Sequence, residues 1–260
     1  MPLPVSLDKN QLEERWVLFL LPALAQTGSS GCIAVLKAEK DSIARNQLFR
    51  FAIRKMGGGT GASTADLDKM INVGIAAIDN ALASPLNAPT LSALWIDEAN
   101  ISAYNLSANL CDCWGDGDSR TNEHFEAGLK FAEKAIKFRT ELGKSPGAMS
   151  MAHWVMGKHL LSLQRFLEAV KAFEASFAFE QEVAKAAKLP FEPDFKSPGS
   201  LLLSYGFMGL AKSRAELPEG TTTLNTAVAF LNAQCSGPCV DISNDAKGYL
   251  TQLSESILRN

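Results

Sequence analysis

The sequence predicts an all-α fold, an α-α superhelix of stacked antiparallel helical hairpins. Three observations predict it. Apolar residues recur at helical spacing almost throughout, and no long stretch alternates as a half-buried strand would. From Thr90 onward the helical segments arrive in pairs, and proline and glycine clusters punctuate the joins. The composition is that of an ordinary globular chain, 47% hydrophobic and 20% charged over 260 residues, which is ample to bury a core.

Taken in order, Leu7 to about Gln26 is expected as a first helix, with Leu12, Trp16, Phe19 and Leu20 on its apolar stripe. Cys32 to Met56 is expected as a second, closed by Arg50, Arg54 and Lys55, cations that suit a helix C-terminus. The glycine run Gly57–Gly61 breaks the chain, and Ser63 with Asp66 forms a capping signal for a helix to about Ala83. Pro85 and Pro89 mark the next connection. The paired helices then follow: Leu91–Cys111 with Glu123–Leu142, Ala148–Leu163 with Phe166–Lys188, and Ser200–Ala215 with Thr222–Gln234. A last helix, about Asp245 to Leu258, starts from an N-cap at Ser243 or Asn244 and has the mixed face of a capping element. The organisation expected is therefore an N-terminal helical region over 1–89, helical hairpins over 90–235 and a capping helix over 236–260.

Charge and cysteine usage narrow the function classes. A formal net charge of -3 lacks the basic footprint of sequence-independent nucleic-acid binding, so no nucleic acid is expected as a partner. The apolar run Val17–Leu21 follows Asp8, Glu13 and Glu14 instead of a basic segment and is broken by Pro22. It is also shorter than the ~20 apolar residues that span a bilayer. It reads as a buried amphipathic helix, with no membrane partner and the cytoplasm as the default compartment. Five cysteines, an odd number, fit reduced thiols. In an exported chain, Cys235 and Cys239 would instead be placed to close a small disulfide loop.

Small and large residues in the central pair carry a repeat signature. Met156-Gly157, Leu160, Phe166, Ala169, Phe173 and Ser176 place small residues where two helices of a hairpin touch and large ones between hairpins. On these residues Ser150–Val183 resembles a tetratricopeptide repeat, whose unit is ~34 residues. Two further units are more degenerate. One carries Leu106-Ser107, Leu110, Phe125, Gly128, Ala132 and Ala135; the other carries Tyr205, Met208, Gly209, Ala227 and Phe230. Gly157 and Gly209 are 52 residues apart, well beyond one repeat. Glycine at 157 costs ~1 kcal/mol relative to alanine in a helix interior, a cost that a backbone-to-backbone crossing with Ala169 would explain.

The resemblance implies a protein–protein interaction module in which the first helices line a concave groove for a partner peptide or helix. Carried over, the groove positions are Met151, Trp154, Lys158, Leu161 and Ser162 in one unit and Ile101, Tyr104, Ala108 and Cys111 in the preceding one. The family's carboxylate-binding clamp uses several Asn and Lys residues; only Lys158 matches it, so recognition of a C-terminal carboxylate is not implied.

Other signals point elsewhere. In the insert Cys111–Glu123, residues Asp112, Asp116, Gly117 and Glu123 fall at calcium-loop positions, but Trp114 stands where a ligand oxygen belongs. Cys111, Cys113 and His124 could hold a soft metal, without the spacing of a zinc ribbon. The Gly57–Gly61 run is similar to the glycine run of tubulin-like GTPases. No lysine follows in Walker fashion, and a helix rather than a strand precedes it, so it reads as a connector. His153 and His159 lie six apart on different helix faces, and no nucleophile, base and orienting acid recur together. No cofactor, metal or catalytic residue is expected. The alternatives are a helical enzyme or small-ligand receptor with a pocket near the insert, and a metal-binding accessory protein.

Overall fold

The computed structural model describes residues 6–57, 62–83, 89–112, 119–236 and 240–259. Most of the glycine run, the Cys113–Asp118 part of the insert and Cys239 lie outside these residues, and with them the calcium loop and the Cys235–Cys239 pairing. Among the described residues there is no strand. In chain order the helices are α1 (Lys9–Arg15), a π-turn (Trp16–Leu20) that runs on into α2 (Leu21–Ala38), α3 (Ser42–Gly57), α4 (Thr64–Leu82), α5 (Pro89–Leu110), α6 (Asn122–Glu141), α7 (Pro146–Ser162), α8 (Phe166–Ala186), α9 (Gly199–Arg214), α10 (Gly220–Cys235) and α11 (Val240–Arg259). The chain is all-α, built of hairpins packed neighbour on neighbour. It divides into two compact units, Met1–Leu110 with Trp114–Leu142, and Cys111–Cys113 with Gly143–Asn260.

In the first unit the helix starts follow side-chain chemistry. Asp8 accepts from the Gln11 backbone N–H while the Gln11 side chain accepts from the Asp8 N–H, a reciprocal cap that opens α1. The helix expected over 32–56 is interrupted. Asp41 Oδ1 accepts from the N–H groups of Ile43 and Ala44, both at 2.9 Å, and so ends one helix and begins α3. Gly28, at φ 67, kinks α2, a conformation open to glycine at little cost. The π-turn shifts the helical phase, so Trp16, Leu20, Leu24, Cys32 and Leu36 enter the core whereas Phe19, expected on the core stripe, is 56% exposed beside Val17, Leu18 and Leu21. By length and composition Lys9–Ala38 is the one described segment long and apolar enough to cross a membrane; that stretch exceeds the Val17–Leu21 run legible in the sequence. The core it joins contains Phe49, Ile53, Leu67, Met70, Ile78, Leu106, Phe131 and Ala135, drawn from α3 to α6.

The second unit is held by close crossings. A Cβ on Gly157 would sit 2.7 Å from the Phe173 ring, so an aromatic edge in α8, not the Ala169 backbone, is what fills the space at Gly157. The backbone-to-backbone approach lies in the next hairpin: a Cβ on Gly209 would be 2.5 Å from the Leu224 nitrogen. Three buried hydroxyls cross α7, α8 and α9 in line, Ser150 to Ser176 at 3.1 Å and Ser176 to Ser204 at 3.0 Å. Helix α11 begins at Val240, ahead of the expected N-cap, and lies on α9 and α10 with Leu253 against Gly206 and Tyr249 against Gly199.

Candidate functional site

The first unit carries a groove of about 470 Å³ between α3 and α5, the first helices of two successive hairpins. Gln47, Arg50, Phe51 and Arg54 line it from α3; their spacing of three, four and seven residues places them on one helical face. Ile101, Asn105 and Asn109 line it from α5 at steps of four, and Leu12 of α1 closes one end. The floor is apolar through Phe51 and Ile101, and the walls carry guanidinium and amide groups.

Which of these groups is occupied decides what the groove offers. Gln47 is used internally: its Oε1 accepts from the Leu7 N–H at 2.8 Å and its Nε2 donates to Ser6. Arg50 lies 3.4 Å from Glu98, whose buried Oε2 accepts no hydrogen bond. Burial pushes the Glu98 carboxyl above its ordinary value against the pull of Arg50, and Asp97 adds to the rise. Arg54 is exposed, sits over the Phe51 ring at 5.2 Å and makes no ion pair among the described residues. The side chains of Asn105 and Asn109 make no hydrogen bond among the described residues; only the Asn109 carbonyl is engaged, by Arg120 at 2.7 Å. A cation and two bifunctional amides, each with both a donor and an acceptor, therefore face the groove uncommitted.

The predicted groove residues fall in different places. Ile101 lines the cavity. Tyr104 does not: it turns to α6, with the Arg139 guanidinium 4.2 Å above its ring, while Arg139 donates to Asn100. In the second unit Met151 is exposed and Trp154 is half-buried edge-on against Phe207, at 5.3 Å. The expected exposure of Lys158 is corrected, for it is only 1% exposed. Its ammonium pairs with Asp112 at 2.9 Å, donates to Ser256 at 2.7 Å and sits 4.9 Å from the Phe207 ring. Leu161 is fully buried. Ser256 of α11 reaches back to Lys158, and Asp112 and the Phe207 ring of α9 close round the same ammonium, an enclosure that no local sequence pattern shows.

Around the insert, Cys111 Sγ lies 3.6 Å from His159 Nε2, both buried, and Ser162 donates to Asp112. His124 caps α6, its Nδ1 accepting from the Thr121 N–H, and its Nε2 lies 3.1 Å from Asp68. No group of three His, Cys, Asp or Glu side chains among the described residues could hold a metal ion. His153 stacks on Phe179 at 5.7 Å, and burial lowers its proton affinity, which leaves the ring neutral at physiological pH.

Arg50 and Arg54 register in the sequence only as cations closing a helix, and Asn105 and Asn109 do not register at all. The signal that marks them is their shared face, the three-four-seven spacing on α3 matched by the four-step spacing on α5. No family model matches this chain, and neither a curated protein nor a solved structure matches it.

Proposed function

We propose that this chain is a protein–protein interaction module of tetratricopeptide-like hairpins, and that its α3/α5 groove takes an extended, acidic segment of a partner protein. One observation carries the reading: among the described residues Arg54 has no ion pair and the Asn105 and Asn109 side chains no hydrogen bond, and all three line an apolar-floored groove. An asparagine side chain presents the donor and acceptor of a peptide group and pairs with one in an extended strand, while a guanidinium forks onto a carboxylate. Two amides four residues apart on one helix are ~6 Å apart along its axis, close to the ~6.6–6.8 Å repeat of alternate residues in an extended chain. Phe51 and Ile101 supply the apolar contact beneath.

The test is fluorescence anisotropy against a panel of short peptides of matched length that vary in acidic content. Acidic members should bind best, and Arg54→Glu combined with Asn105→Ala should weaken them by tenfold or more, an Arg–carboxylate contact being worth ~1.5–3 kcal/mol. Arg54 is exposed, so the fold is expected to survive and circular dichroism will show it. Equal binding of acidic and basic peptides, or equal binding by the double variant, removes the proposal.

A further inference from the structure

Residues 16–36 carry no Asp, Glu, Lys or Arg, and residues 16–25 are apolar without a break. The protein covers little of this stretch. Trp16, Leu20 and Leu24 face the core, while Val17, Leu18, Phe19 and Leu21 are each 45–56% exposed. Val17, Leu18 and Phe19 lie between the two buried residues of the π-turn, so they point successively around the rest of the helix circumference. Apart from its one stripe on the core, this helix is apolar all round and in water. A crevice of about 160 Å³ joins Phe19 to Val35 further along α2, over Leu20, Leu36 and Leu48. The two charged groups on its lining, Arg15 and Glu39, pair with each other. Lys9–Ala38 is long and apolar enough to cross a membrane, yet only 17% of its apolar stretch is buried, where the core helix of a soluble protein would be mostly covered.

We infer that the π-turn and the start of α2 dock this protein on the surface of a lipid bilayer, with Val17, Leu18, Phe19 and Leu21 entering the hydrocarbon. Two observations select hydrocarbon over a protein. A docked protein covers one side of a helix, whereas here apolar side chains surround it. A protein interface also carries about one hydrogen bond per 100–200 Å² within a polar rim, and the side chains of residues 17–25 offer no hydrogen-bonding group. A bilayer asks for none, and the backbone bonds of a helix close within it. Crossing is not the geometry. The stripe of Trp16, Leu20 and Leu24 is held in the core, and Gly28, at φ 67, kinks α2. The segment therefore lies in the membrane interface, with its outer side ~5–10 Å deep. This departs from the sequence expectation of a buried helix without a membrane partner. It uses none of the residues that line the α3/α5 groove and stands independently of the function proposed for that groove.

The experiment is flotation of the whole protein with vesicles of phosphatidylcholine, which carry no net charge, at low and at high salt. The protein should float in both, since the contact is apolar and salt screens only charge. Leu18→Ser combined with Phe19→Ser should lower the partition coefficient about a hundredfold, roughly tenfold for each apolar side chain removed. Both side chains are half-exposed, so the fold is expected to survive, and circular dichroism verifies it. Leu167→Ser, at a similarly exposed leucine on α8, should leave flotation unchanged, which separates this patch from general stickiness. No flotation with phosphatidylcholine, or flotation unchanged in the double variant, overturns the inference. So does binding that appears only with phosphatidylserine and vanishes at high salt, or self-association that the double variant abolishes while the wild type fails to float. Resistance of the bound protein to alkaline extraction would mean a spanning helix and would overturn the surface geometry.

Discussion

Gly209→Ala is the most direct probe of how the second unit is held together. The added Cβ would lie 2.5 Å from the Leu224 nitrogen, 2.9 Å from its Cα and 3.0 Å from the Thr223 carbonyl carbon. Those are backbone atoms, which cannot rotate aside as a side chain can. Ordinary contact begins near 3.4 Å, so α10 would have to retreat from α9 by about 0.9 Å. Overpacking of this kind costs ~1–3 kcal/mol, and a rigid neighbour places it at the upper end. Replacing glycine in a helix interior returns ~1 kcal/mol. The net is a loss of about 2 kcal/mol, or about 8 °C in the melting temperature of a unit this size. Gly248→Ala is the internal control, because nothing lies within 4 Å of the Cβ it would add; it should gain up to ~1 kcal/mol. Thermal and urea unfolding followed by circular dichroism reads both. If the two variants shift stability in the same direction, the crossing at Gly209 is not as close as described and the reasoning fails.

Three other expectations follow from single side chains. Glu98→Gln should stabilise the protein at neutral pH: with its carboxyl raised above 4.5 in the folded state, the native chain holds more protons than the unfolded one between those values. Wild-type stability therefore falls as pH rises through that window and levels off above it. The variant should show no such fall, and the two stabilities, measured by urea titration across pH, should converge in acid. Ser176→Ala removes the middle of the buried hydroxyl line and strands Ser150 and Ser204, costing ~1–3 kcal/mol in the same unfolding assay. Cys32 should resist alkylation in the native protein at pH 8, since burial pushes its thiol up to about 11, while half-exposed Cys235 reacts. Mass spectrometry of the labelled peptides checks this, and early labelling of Cys32 would mean that its helix opens readily.

The hairpin order was legible because each pair is local: periodicity marks the helices, and Pro146, with Ser145 accepting from the Ala148 N–H, marks a join unmistakably. Features decided by residues far apart in sequence were not. Lys158 reads as a surface cation until Ser256, 98 residues away, is placed against it. Gly157 signals a tight crossing correctly, but a sequence does not say that a phenylalanine edge, and not a backbone, fills the space. The break at Asp41 was hidden by apolar residues that keep helical spacing across it, although Asp-Ser is itself a capping signal. The candidate site suffered similarly. Arg50 and Arg54 share a face with Gln47 and Phe51 in plain view, but only the packing of α3 beside α5 brings Asn105 and Asn109 opposite them.

The π-turn at Trp16–Leu20 has a consequence for insertions and deletions. A widened turn accommodates one residue more than the helix on either side needs. Deleting Leu18 would let the helix run on without a break and keep the segments on either side in phase, so Leu12 would stay at the groove end it closes. One residue added elsewhere in this helix has no such spare turn to take it up and would swing everything before it through ~100°. At this place the chain tolerates loss more easily than gain, and a library of single-codon insertions and deletions across residues 9–27 would display that asymmetry directly.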